Sequence, residues 1–174
     1  MPIEKIAIEN REQWLGLRGQ DVTASVAGAL LGVHPYTTAY GLYLLKKGLI
    51  QEDPEETGPM RRGRLLEPVA AEILREEQPE WQIKHPGGFY YRESETRMGA
   101  TPEIVAFNEK GEPGVVQVKS VEPSIFRRDW RTDHGVVEPP LWIVCQAIIE
   151  AHLTGAMWAA VAPMVISFGV EMPV

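Results

Sequence analysis

The hydrophobic pattern of this chain changes period in its middle, and that change restricts the architecture more than any other feature. Residues 22–31 and 39–47 read as short helices, separated by Gly32-Val33-His34-Pro35-Tyr36, where Gly and Pro end one element and start a turn. Residues 64–78 carry helical spacing, with Leu66, Glu67, Ala70, Ile73 and Leu74 on one stripe and Pro79 as the stop. From there the period falls to two. Segments 81–84, 88–92, 98–107 and 114–120 are β-rich, and 108–112 forms a hairpin connection between the last two. A helix over 141–153, with Trp142, Cys145 and Ile149 as its apolar stripe, precedes closing strands at 157–162 and 165–170. This order predicts an α/β sandwich around a mixed sheet, not the regular alternation of a doubly wound fold.

The 174 residues are 44% hydrophobic and 24% charged, which suits one folded domain over 1–174, with 51–59 as a loop within it. The single Cys145 excludes an internal disulfide and any zinc site built from several thiolates, and it fits a reducing, cytoplasmic compartment. No apolar run approaches the roughly 18 residues of a membrane span, and the opening residues lack a signal-peptide pattern, so no membrane association is expected. A net charge of -7 argues against a nonspecific coat on nucleic acid. Local clusters at Lys46-Lys47, Arg61-Arg62-Arg64 and Arg127-Arg128-Arg131 nevertheless leave room for a basic groove on an acidic body.

Phosphate-loop patterns are absent, the four histidines lack metal-ligand spacing, and Cys145 reads as a buried, inert thiol. What stands out is a set of polar groups in apolar settings. Glu67 lies on a helix stripe and Glu103 follows Thr101-Pro102. Gln117 and Lys119 share a strand face with Val115, while Val116, Val118 and Ser120 share the other. Oxygen donors beside a lysine suit a hard cation and phosphate chemistry. Unrelated polar residues satisfied by hydrogen bonds would give the same pattern, and spacing alone does not separate the two.

The order of the motifs adds to this. Trp14-Leu15-Gly16-Leu17-Arg18 is followed by Thr23-Ala24-Ser25, Gly63-Arg64-Leu65-Leu66-Glu67-Pro68, Tyr91-Arg92 and Met98-Gly99-Ala100-Thr101-Pro102-Glu103. Val116-Gln117-Val118-Lys119 comes next, then Gln146, with Thr154-Gly155 eight residues beyond it. From residue 14 to about 163 the chain resembles the PD-(D/E)xK nuclease superfamily, and within it the lambda-type exonucleases, or YqaJ-like viral recombinases. The resemblance implies a restriction-endonuclease-like α/β core with a mixed central β-sheet flanked by α-helices. It further implies a metal-dependent DNA exonuclease of phage-type recombination, working 5′ to 3′ on linear duplex DNA in a bacterial or phage-infected cytoplasm. Mg²⁺, or Mn²⁺, would be held by Glu103, the Gln117 side chain and the Val118 carbonyl, with Glu67 supporting the shell through water. Lys119 would act on the attacking water and Gln146 would align the site. Arg18 and Ser25 would take the 5′-phosphate, a role that an arginine fork, a hydroxyl and helix N-terminal amides suit. Double-stranded DNA ends, a single-strand annealing protein and a homotrimer are the implied partners.

Two positions depart from the family pattern: Glu103 stands where the family has Asp, and Gln117 where it has Glu. The first keeps the charge and adds a methylene, whereas the second removes a charge and leaves an amide oxygen. A tolerated variant, a lapsed nuclease that still binds DNA ends and a deliberately inactivated form all fit these changes. A noncatalytic DNA-end-binding protein is therefore the alternative reading.

Overall fold

The computed structural model describes residues 2–50, 57–85 and 87–166. Among them the elements run β1 (Glu4–Ala7), α1 (Arg11–Gln20), β2 (Val22–Thr23), a 3₁₀ helix (Ala24–Ala29), α2 (Ala39–Lys46), α3 (Gly58–Glu77) and β3 (Gln82–Lys84). They continue with β4 (Phe89–Glu93), β5 (Met98–Ala100), β6 (Ile104–Phe107), β7 (Pro113–Val121), α4 (Pro123–Asp129), α5 (Leu141–Thr154) and β8 (Trp158–Val165). The α/β class is as expected, but the strands form two four-stranded sheets, β1-β4-β5-β2 and β3-β6-β7-β8, in place of one central sheet. Both are mixed, each ending in one parallel pair, β5 with β2 and β7 with β8. No helix among the described residues is long and apolar enough to cross a membrane.

Strand β7 organises the molecule. Its Val116 and Val118 pack with Ala70 and Ala71 of α3 and with Ile83, Ile104 and Ala106. On its other face Val121 packs with Ile143 of α5 and with Trp130. Burial on both faces explains the nearly continuous apolar run of this strand, and it makes any polar side chain on it conspicuous.

Several boundaries differ from the sequence reading, each for a local reason. The 98–107 segment is two strands in different sheets, because Thr101-Pro102-Glu103 interrupts it and proline has no N–H to donate to a ladder. The 22–31 segment is not an α-helix. Val22 and Thr23 pair with Met98 and Gly99, and small residues then turn as a 3₁₀ helix against α5. Gly28 permits that approach, since a Cβ there would meet the Trp142 Cβ at 2.9 Å. Helix α3 starts earlier than expected: Thr57 caps it by accepting from the Met60 N–H, and Pro59 falls in its first turn, where a missing N–H does no harm. Of the expected 51–59 loop, residues 51–56 lie outside the described residues. The two closing strands are one strand, β8, parallel to β7 along its length, and 167–170 lie outside the described residues.

The buried stripes also shift. Ile73 on α3 is exposed, and Ala71 is buried in its place. On α5 the inward positions are Ile143, Gln146, Ala147, Glu150 and Leu153, whereas Trp142, Cys145 and Ile149 flank them, so Cys145 is half-buried and not the sequestered thiol expected.

Gly114 opens the β7–β8 ladder opposite Trp158, whose ring packs at a tilt against Trp81 with centroids 4.7 Å apart and whose Nε1 donates to the Glu112 carbonyl at 3.0 Å. A Cβ at 114 would overlap that indole, which both contacts hold in place. Gly114→Ala is expected to destabilise the fold by about 1–3 kcal/mol through overpacking, read as a lower urea midpoint. An unchanged midpoint would show that the indole moves freely.

Candidate functional site

The site lies where β6 leaves β7. Their antiparallel ladder ends at Ile104 opposite Val116, because Pro102 diverts the chain toward β5 and the other sheet. Beyond that point, while β8 pairs with the strand's other edge, the edge of β7 that β6 has left carries no strand at Val118. Side chains complete it: Glu103 Oε2 accepts from the Val118 N–H at 3.1 Å, and Gln117 Nε2 donates to the Val118 carbonyl at 3.1 Å. A buried backbone needs such partners, so the break in the sheet draws an acid and an amide to one spot.

Gln117 is fully buried, and its orientation follows from a chain of amides. The Lys119 ammonium, a donor only, gives a hydrogen bond to Gln146 Oε1 at 3.0 Å. That turns the Gln146 NH₂ inward, where it donates to Gln117 Oε1 at 2.5 Å and to Glu150 Oε1 at 2.9 Å. The Gln117 oxygen is thereby committed to Gln146, and its NH₂ faces Val118. Lys119 also lies 5.7 Å from the Trp142 ring centroid, which favours the ammonium.

Glu67 enters from α3, half-buried, close enough to Glu103 and Lys119 to feel both charges. Burial, with the Glu103 charge second, pushes its carboxyl up to about 7. Glu150 on α5 is pushed up to about 8, mainly by burial, with Glu103 adding to the rise while Gln146 and Lys119 oppose it. Both carboxyls hold in the folded state a proton that the unfolded chain has released above about pH 4.5. Stability without cations is therefore expected to fall as pH rises from about 4.5 to 8, with Glu150 costing on the order of 4 kcal/mol at the upper end. Urea midpoints against pH test this, and Glu150→Gln should flatten the slope. A slope unchanged by that substitution would assign the effect elsewhere.

Repulsion between Glu67 and Glu103, beside a backbone carbonyl with a second lone pair, is what a hard cation relieves. Among the described residues no three His, Cys, Asp or Glu side chains converge as a ready cage. The donors thus fit a Mg²⁺-type ion that takes few protein ligands and completes its shell with water and phosphate.

Arg18 and Ser25 do come together. The Arg18 guanidinium donates to Ser25 Oγ at 3.4 Å and lies 4.5 Å from the Trp14 ring centroid, and Thr23 Oγ1 shares a hydrogen bond with Ser25 Oγ at 3.1 Å. Ser25 sits in the 3₁₀ helix, so the α-helical N-terminal amides expected there are not formed, and a guanidinium with hydroxyls remains. Two links tie this cradle to the break in β7. Trp14 Nε1 donates to Thr101 Oγ1 at 3.1 Å, two residues before Glu103. His34 Nδ1 accepts from the Tyr36 and Thr37 N–H groups, which leaves Nε2–H to donate to the Ser25 carbonyl at 3.2 Å, while its ring meets Trp142 edge-on at 5.3 Å. Burial lowers the His34 pKa, in keeping with a neutral positioning ring. Two of the basic clusters border the same region: Lys46 Nζ donates to the Arg18 carbonyl at 2.6 Å, and Arg62 Nε donates to Ser120 Oγ at 3.4 Å.

All the residues singled out in the sequence thus gather in two linked groups. Glu150, His34 and Trp142 were not assigned to the site. The signal for Glu150 was its place one turn after Gln146 on the same helix face.

The model of the YqaJ-like viral recombinase domain family matches residues 13–157, a span that contains every side chain of the candidate site. No curated protein matches the chain well enough to add a relative. The chain belongs to the YqaJ-like viral recombinase domain family, which places it among nuclease-like proteins of phage-type recombination that act on DNA.

Proposed function

We propose that this YqaJ-like chain is a metal-dependent exonuclease that hydrolyses linear duplex DNA from its 5′ end. The observation that supports it most is the meeting of Glu67, Glu103, Lys119 and Gln146 at the open edge of β7, joined through Trp14 and His34 to the Arg18–Ser25 cradle. In this reading the cradle binds a terminal 5′-phosphate through the arginine fork and the hydroxyls. Glu103 and the Val118 carbonyl hold Mg²⁺ or Mn²⁺, with Glu67 behind them and Gln117 fixing the Val118 backbone. Such a cation supplies charge stabilisation to the phosphate under attack. Lys119, held by Gln146 and Trp142, orients the attacking water or neutralises charge on the phosphate. Chain 1–174 works as one domain, assembles as a trimer around the duplex and hands a 3′ single strand to an annealing protein.

The experiment is cleavage of end-labelled linear duplex, with and without a 5′-phosphate, in Mg²⁺, in Mn²⁺ and in chelator. Cation-dependent product, faster on the phosphorylated end, is the expected result; no product on any DNA form with either cation sinks the reading. The second reading, a DNA-end-binding protein without catalysis, draws support from the Gln117 oxygen being committed to Gln146. It predicts binding that falls steeply with salt and yields no product.

A further inference from the structure

One buried carboxyl beside this site has no part in the mechanism above. Glu150 is 1% exposed on α5. Its Oε1 takes one hydrogen of the Gln146 NH₂, whose other hydrogen goes to Gln117, and its Oε2 is buried with no hydrogen-bond partner among the described residues. A carboxylate in that setting costs stability, and packing alone would be served better by an amide or an apolar side chain. The charged groups that reach it are Glu103 and Lys119. Gln117, fully buried, occupies the strand position at which the resembled pattern carries a glutamate. The carboxylate missing from position 117 is therefore present one amide away, on the facing helix.

We propose that Glu150 is a positioning residue of the nuclease site, which gives up its proton to solvent as the cation binds at Glu103 and then carries from α5 the negative charge that Gln117 lacks, passing its effect through Gln146 to Lys119 and the cation. An anion accepting from the Gln146 NH₂ strengthens Gln146 Oε1 as an acceptor for the ammonium, because hydrogen bonds in a chain polarise one another. The same charge acts through a poorly screened interior on a cation held at Glu103. This inference rests on the nuclease reading and deepens it.

The test measures Mn²⁺ binding to the whole protein by paramagnetic resonance of the free ion, beside single-turnover cleavage and thermal stability. It compares wild type, Glu150→Gln, Gln117→Glu and the double variant Gln117→Glu/Glu150→Gln, which moves the carboxylate onto the strand. Glu150→Gln should weaken Mn²⁺ binding by about 10- to 100-fold while melting no lower than wild type. Gln117→Glu should fold and bind Mn²⁺ at least as well as wild type, and the double variant should regain most of the affinity lost in Glu150→Gln. A purely packing role for Glu150 predicts no change in binding and no rescue. Wild-type affinity in Glu150→Gln, or a double variant no better than it, overturns the inference while leaving cleavage by the wild type intact. A wild type that neither binds Mn²⁺ nor cleaves DNA removes the nuclease reading and this inference together.

Discussion

Lys119→Met is expected to lower single-turnover cleavage by a factor on the order of 10²–10⁴ while the protein still folds and still binds DNA ends, the range lost when a positioned proton-transfer or charge-stabilising group is removed. Methionine reproduces the unbranched stem that runs along β7, so packing beside Trp142 is largely kept. Only the ammonium disappears. Its loss leaves Gln146 Oε1 without its donor, a cost of roughly 1–3 kcal/mol that is partly offset because a half-buried charge is no longer desolvated. Arginine at 119 is not expected to restore the rate. The fork is broader than an ammonium and cannot place a single N–H on Gln146 Oε1 without displacing Trp142. Binding to a 5′-phosphorylated end should persist, because Arg18 and Ser25 form the cradle at a separate place on the chain. A Lys119→Met protein that cleaves within about threefold of wild type would remove Lys119 from the chemistry and with it the core of the proposed mechanism.

The parts of the fold that could be read in advance were those where local pattern and tertiary burial agree. The β-rich middle, the helix over most of α3, the hairpin before β7 and the helix α5 all have such agreement. What escaped was decided by contacts between distant segments. Residues 98–107 are apolar enough to read as one strand, and only Pro102, buried between two sheets, splits them. The 3₁₀ helix at 24–29 has the small residues of an ordinary helix, and its tighter winding goes with its approach to Trp142. Helix α5 misled for a different reason. It is apolar nearly all round, so periodicity picked out Trp142, Cys145 and Ile149 as the inward stripe, and only the family resemblance brought Gln146 to the site. In the folded protein Gln146 and Glu150 point inward because Gln117 and Lys119 on β7 wait for them. The candidate site was legible as a set of residue types in order; its wiring was not, because each hydrogen bond joins elements far apart in sequence.

That wiring makes Gln146 the residue whose loss should be felt most widely. It is 6% exposed, and one side chain serves three others: its oxygen accepts from Lys119, and its NH₂ donates to Gln117 and to Glu150. Gln146→Leu keeps much of the volume and removes all three bonds at once. It is expected to destabilise the fold by about 3–5 kcal/mol at pH 9, where Glu150 is ionised, the range for stripping a partner from a buried charge, and to abolish cleavage by releasing Lys119. For a chain of this length that corresponds to a melting temperature lower by roughly 10 °C. The size of the loss does not by itself identify its cause, since a cavity would also destabilise. A double-mutant cycle does. If the damage comes from the stranded Glu150 carboxylate, adding Glu150→Leu to Gln146→Leu should recover about 1–3 kcal/mol, because two apolar neighbours need no partner where a lone carboxylate does. The recovery should appear in urea midpoints at pH 9, where Glu150 is ionised, and shrink at pH 5, where it is protonated and the missing donor matters less. Cleavage should stay absent at both, because Lys119 remains released. Additive losses at both pH values would mean that Gln146 and Glu150 do not act on each other, and the charge on α5 would then have no route to the strand.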